Sequence, residues 1–269
     1  MVTTSATSHV VAVEPRAYWP LLPAHLRRFA VVIVVLALVV LAVLALRYAH
    51  QEAAGRLDRT LDVYLRTHLR RDQSLTGALI SLADPPHAAV VLAVVAGAAA
   101  LARRWSGVIL TLGGTLTAVT ITEVILKPLV GRLRYGHLTF PSGHTSAVAA
   151  IAIATVILLI GAQRPRSVAL RGLAGLAAAV VAVSVAVALI AQHVHYATDT
   201  VAGCCVGVVT VLGLALILDF VCPRVRVLRV RIALASLPGL PETRSSLLVV
   251  FEAARVGAGS WVCDRVRRW

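Results

Sequence analysis

The sequence predicts an all-α polytopic membrane protein, built as a six-helix transmembrane bundle. Three observations carry that reading. Of the 269 residues 59% are hydrophobic and only 14% are charged, with a mean hydropathy of +0.86, which is too apolar for an ordinary soluble domain. Six apolar windows are long enough, or nearly so, to cross a hydrocarbon core about 30 Å thick. The basic residues flank these windows, where anionic lipid headgroups attract them. The formal charge of +14 therefore points to membrane lipids as partners. No basic stripe or recognition motif supports nucleic acid.

The windows fall at 29–46, 87–102, 106–126, 145–163, 173–192 and 200–218. The first is not preceded by a cleavage-site pattern, so it reads as a retained span. The second is short and can borrow 76–83 across a kink at Pro85 and Pro86. Six spans put both termini on one side. The segments on that side hold 17 Arg, against nine Lys or Arg opposite, six of them in the longer first loop, where five acids (Glu52, Asp58, Asp62, Asp72 and Asp84) accompany them. The excess of positive charge predicts cytoplasmic termini in the plasma (inner) membrane. The domain plan is then a cytoplasmic segment 1–28, a membrane domain 29–219 with an extracytoplasmic loop 47–86, and a basic tail 220–269 that is cytoplasmic or interfacial.

Within the loop, Leu57, Leu61, Leu65 and Leu69 recur every four residues among charges, which predicts an amphipathic helix over 56–71 on the outer surface. In the tail, "RVRVLRVR" and then "SSLLVVFEAARV" suit either an interfacial element or a solvated end. The four cysteines show no metal spacing and no disulfide framework.

The chemistry concentrates in the two outward connections, 127–144 and 192–199. They contain four of the nine histidines: His137, His144, His193 and His195. His195 and Asp199 are four apart and share a face at the start of the sixth span. A carboxylate there would fix the tautomer of the imidazole, leaving its second nitrogen as a nucleophile or base. The same acid also fits a helix N-terminus without any catalytic role. In "FPSGHTS", Pro141 and Gly143 favour a tight turn before the fourth span. That turn aims backbone N–H groups of Ser142 to His144 and a helix N-terminus at one point, which suits an anion. Lys127 and Arg134, seven apart, can converge there. Every other residue among the 26 Lys and Arg is Arg, which singles out Lys127. A phosphoryl group matches this inventory.

Taken in order, Lys127 with Arg134, then Pro141-Ser142-Gly143-His144, then His195 with Asp199, resembles the tripartite signature of the type 2 phosphatidic acid phosphatase superfamily. The resemblance spans roughly 73–219 and implies six spans with an outward-facing active site. It implies a phosphatase acting on a lipid phosphate or polyprenyl (di)phosphate, with neither metal nor other cofactor. His195 would attack phosphorus and Asp199 would orient its ring. His144 would serve as acid and then base. Lys127, Arg134, Ser142 and Gly143 would hold the phosphoryl oxygens.

Two departures stand out. The family usually has Pro where this chain has Tyr135, and Ser-Arg where it has Ala188 and Leu189. Losing one such donor typically costs about 10²–10³ in rate. Arg132, His193 and Gln192 are the candidates to compensate, and the alternative is a catalytically impaired protein that binds lipid phosphates. Glu123, four residues before Lys127, is expected to pair with it and position it. A metal site built from the four outward histidines is a further possibility.

Overall fold

The structure, a computed structural model, describes residues 20–69, 73–162 and 167–235, with side chains to residue 221. The N-terminal residues 1–19 and the interfacial element expected at 245–256 lie outside the described residues. Among the described residues every regular element is a helix except for one short hairpin. Five helices are long and apolar enough to cross a bilayer, and a bent pair makes a sixth span.

The first span, α1 (Ala24–Tyr48), has 25 residues. At 1.5 Å per residue it exceeds the hydrocarbon thickness with a turn to spare. α2 (Arg56–Leu69) follows, and then α3 (Gln73–Ala83) and α4 (Pro85–Leu101) make the bent span, turning by 61°. The break is at Asp84, because Pro85 and Pro86 have no N–H with which to continue α3, yet suit the first turn of α4. The third span is α5 (Trp105–Thr120), a π-helical stretch Ile121–Leu126 and α6 (Lys127–Val130) in continuous succession. Gly131, at φ +61°, ends it in the left-handed region. Lys127 thus stands on the span itself and not in the connection after it.

Residues Leu133–Arg134 (β1) and His137–Leu138 (β2) pair antiparallel. Tyr135 and Gly136 between them have φ of +51° and +78°, the backbone of a two-residue hairpin turn. Proline, fixed near −65°, cannot enter that conformation, which accounts for Tyr135 where the family signature has Pro.

α7 (Gly143–Ile160) is the centre of the bundle, with α5, α8 (Val168–Ala191) and α9 (Ala197–Ala235) packed around it. Half of its buried residues are alanine, which lets neighbouring backbones approach closely. A Cβ on Gly203 of α9 would lie 2.6 Å from the Ser142 carbonyl oxygen, and one on Gly207 would lie 2.9 Å from Ala150 N. At the other end, Asp219 accepts from the backbone N–H groups of Leu21 and Leu22 at 2.8 and 2.9 Å. The first and last spans are joined there.

The sixth window lies on α9, whose helix continues past it to Ala235, through the "RVRVLRVR" stretch. One expectation is corrected. α2 forms as expected, yet Leu57 and Leu61 are exposed while Asp58 and Asp62 are buried. Its acidic side meets the bundle because two buried arginines stand opposite.

Candidate active site

The turn before α7 and the turn before α9 meet at one end of the bundle. Ser142 N–H donates to the Asp199 carbonyl at 3.0 Å, so the second and third motifs are joined through their backbones. His144 and His195 then stand edge to face, with ring centroids 6.1 Å apart and planes at 62°. His195 is buried and His144 is partly exposed.

Asp199 does not touch His195 directly. The closest approach, His195 Nδ1 to Asp199 Oδ2, is 3.8 Å, too long for a hydrogen bond. The Thr139 hydroxyl stands between them, 3.0 Å from His195 Nδ1 and 2.7 Å from Asp199 Oδ2. The carboxylate can only accept, so the Thr139 proton goes to Asp199. The Thr139 oxygen then accepts from His195 Nδ1–H, which leaves the Nε2 lone pair for chemistry.

Behind Asp199 is a fully buried ion cluster. Arg132 donates through Nη1 to Asp199 Oδ1 and through Nη2 to Asp58 Oδ2, both at 2.6 Å. Its guanidinium lies between the rings of Tyr48 and Tyr196, 4.1 and 4.3 Å from their centroids. All three charged side chains have zero exposure. Removing one partner of such a pair typically costs about 3–5 kcal/mol, because the others remain charged and out of water. Arg132 is thus placed behind the Asp199 carboxylate, fully buried between two acids.

Arg134 is 6% exposed. Its Nη2 donates to Asp62 Oδ2 at 3.1 Å and to His193 Nδ1 at 2.8 Å. Its Nε and Nη1 are buried with no hydrogen-bond partner among the described residues. Two donors on a buried guanidinium suit an anion. Burial pushes the Asp62 carboxyl up from its ordinary value, against the downward pull of Arg134 and His193.

On the opposite side, Lys127 donates to Glu123 Oε2 at 2.7 Å, the i, i+4 pair expected. The other Glu123 oxygen packs against the open face of Gly143, where a Cβ would collide with it. The pair therefore brings Lys127 to the turn. His144 Nε2 is 3.4 Å from Asp84 Oδ1, at the bend of the second span.

Two candidates have other tasks. The Ser142 hydroxyl is buried and caps α7, accepting from Thr145 N at 3.3 Å and Thr145 Oγ1 at 3.1 Å. Gln192 Nε2 donates to Thr76 Oγ1 at 2.6 Å and ties the end of α8 to α3. Leu189 has zero exposure and packs against Ala83, Val148 and Val185, so an apolar core contact occupies the place of the family arginine. His137 is exposed on β2. Among the described residues no three His, Cys, Asp or Glu side chains gather as a metal site.

Thr139, Asp58, Asp62 and Asp84 were not anticipated as site residues. The spacing of Asp58 and Asp62 was a usable signal: two acids four apart share a helix face, and two arginines in the opening motif needed partners. Thr139, one position before Phe140-Pro141, had no such signal.

Residues 135–221 match the PAP2 superfamily. Among solved structures, the chain is similar to the first transmembrane PAP2-type phosphatidylglycerolphosphate phosphatase from Bacillus subtilis. The TM-score is 0.58 at 19% identity, over 67% of this chain and 93% of that one. No curated protein matches the chain. The matched segment holds His144, His195 and Asp199, the three residues that meet at the end of the bundle.

Proposed function

We propose that the chain is a membrane phosphatase that hydrolyses a lipid phosphate or polyprenyl (di)phosphate through a phosphohistidine on His195. The observation that carries this reading is the pairing of His195 and His144, 6.1 Å apart, in a fold that also holds a buried Arg134 with two donors unpartnered among the described residues. The similar Bacillus subtilis protein, a phosphatidylglycerolphosphate phosphatase, supports a lipid phosphate as substrate.

In the first step His195 Nε2 attacks phosphorus and the bond to the leaving oxygen breaks, while His144 gives that oxygen a proton. The positive charge on the imidazole is met by Thr139 and Asp199. In the second step His144 takes a proton from water, the oxygen attacks phosphorus, and the N–P bond breaks to release phosphate. Arg134, Lys127 and the backbone N–H groups of Gly143 and His144 hold the phosphoryl oxygens as charge builds. These cations fill the role that magnesium takes in other phosphoryl transfers.

The positive-inside count of the sequence supports an outward-facing site at this end of the bundle, with cytoplasmic termini in the plasma (inner) membrane. A site there takes the headgroup while the lipid tail stays among the spans.

A second reading is favoured by Leu189: a protein that binds lipid phosphates without turning them over. Phosphate release from phosphatidic acid, phosphatidylglycerol phosphate and a polyprenyl diphosphate, measured on the purified chain and on His195→Ala, separates the two. The phosphatase reading expects release by the parent and none by the variant. Binding without release supports the second.

A further inference from the structure

The buried ion cluster reaches outside the motifs altogether. Asp58 is on α2, far in sequence from the segment that matches the superfamily, and its carboxylate is wholly buried. Its Oδ1 accepts from Thr198 N and Thr198 Oγ1, each at 3.0 Å, and its Oδ2 accepts from Arg132 Nη2 at 2.6 Å and from Thr198 Oγ1 at 3.1 Å. A weaker bond from Gly55 N at 3.4 Å closes the shell. Asp58 thus holds both Arg132 and the first turn of α9, next to Asp199.

We infer that Asp58 is a positioning residue for the nucleophile, acting through Arg132 to set which nitrogen of His195 carries its proton. The inference rests on the phosphatase reading above. Arg132 divides its two terminal nitrogens between two carboxylates, so only Oδ1 of Asp199 is engaged by it. Oδ2 is left to accept from Thr139 Oγ1 at 2.7 Å and Tyr196 N at 3.1 Å. With Thr139 committed as a donor to Asp199, its oxygen accepts from His195 Nδ1–H.

Without Asp58, the Arg132 guanidinium has a single carboxylate to serve. Its planar fork favours two parallel bonds to both oxygens of Asp199, and the second of these competes with Thr139 for Oδ2. A displaced Thr139 hydroxyl turns its proton toward His195 Nδ1. The proton of the imidazole then moves to Nε2, and the nucleophilic lone pair is lost. The stacking of Arg132 between Tyr48 and Tyr196 keeps the guanidinium plane in place, so the choice of partner decides the outcome.

The test is steady-state turnover of a lipid phosphate by the parent, Asp58→Asn, Thr139→Val and the double variant, with inhibition by orthovanadate measured on each. The expected result for Asp58→Asn is kcat lower by at least about tenfold, as a wrong tautomer costs at least that much. KM and the orthovanadate inhibition constant should stay within about threefold, since the anion donors are untouched. Thr139→Val and the double variant should then lose activity equally, because both changes interrupt one path. A purely structural Asp58 would instead weaken orthovanadate binding and multiply its loss with that of Thr139→Val. If Asp58→Asn does not fold, Arg132→Lys carries the same cycle, as one ammonium cannot bridge the two carboxylates as a fork. Turnover by Asp58→Asn within about threefold of an active parent overturns the inference alone. A parent that releases no phosphate from any lipid phosphate overturns the phosphatase reading and the inference with it.

Discussion

Thr139→Val isolates the link between the nucleophile and its carboxylate. Valine nearly matches threonine in shape, and Thr139 is 3% exposed, so neither packing nor water compensates for the lost hydroxyl. The change removes a 2.7 Å bond to Asp199 and a 3.0 Å bond to His195, and the direct distance of 3.8 Å is too long to replace them. A hydrogen bond to a charged group contributes about 1.5–3 kcal/mol. If that is realised as charge forms on His195, kcat falls by about 10- to 100-fold at 1.36 kcal/mol per decade. KM should move little, because Thr139 touches none of the proposed phosphoryl donors. Thr139→Ser keeps the hydroxyl and should stay within about threefold of the parent. The assay is phosphate release from a lipid phosphate in detergent micelles, with the melting temperature taken alongside. A folded Thr139→Val that turns over like the parent would refute the relay.

Two further outcomes follow from the charges around the site. Burial raises the Asp62 carboxyl, so its ionised form costs folding free energy above the raised value, and that cost fades as pH falls to the ordinary carboxylate range. The melting temperature of Asp62→Asn relative to the parent should therefore be more favourable at neutral pH than at acid pH, whatever the loss of the Arg134 contact does at both. A relative shift in the opposite direction would contradict the burial argument. Glu123→Gln removes a negative charge from beside Gly143 while releasing Lys127 from a partly exposed pair worth up to about 1 kcal/mol. Because that pair brings Lys127 to the turn, orthovanadate inhibition should weaken by about two- to fivefold. Tighter inhibition would mean that the main effect of Glu123 is to oppose the bound anion.

The spans were legible because hydrophobic length is a one-dimensional property: each window of the sequence reading falls on a helix, and the kink assigned to Pro85 and Pro86 appears at Asp84. The motifs were legible because their residues are close in sequence or share a helix face, as Glu123 and Lys127 do. What escaped was tertiary. Leucines every four residues on α2 suggested which side was apolar but not which side met the bundle. Buried arginines overrode the hydrophobic pattern, and Asp58 and Asp62 turned inward. Arg132 was placed near the phosphate because it is near Arg134 in sequence. The fold instead gives the two side chains different carboxylates, Asp58 and Asp199 to Arg132 and Asp62 to Arg134. The Ser142 hydroxyl also has a local use that the motif reading did not name, as the cap of α7.

The account centres on a covalent phosphoryl group on His195. Rapid quenching of the purified protein during turnover of a lipid substrate labelled in its phosphate, followed by peptide mapping, tests this directly. The account predicts an acid-labile, base-stable label on the peptide containing His195, absent from His195→Ala. It also predicts accumulation of that label when His144 is replaced and a substrate with a good leaving group is used, because release then lacks its base. Hydrolysis by His195→Ala at the parental rate, with no label captured in either protein, would contradict it.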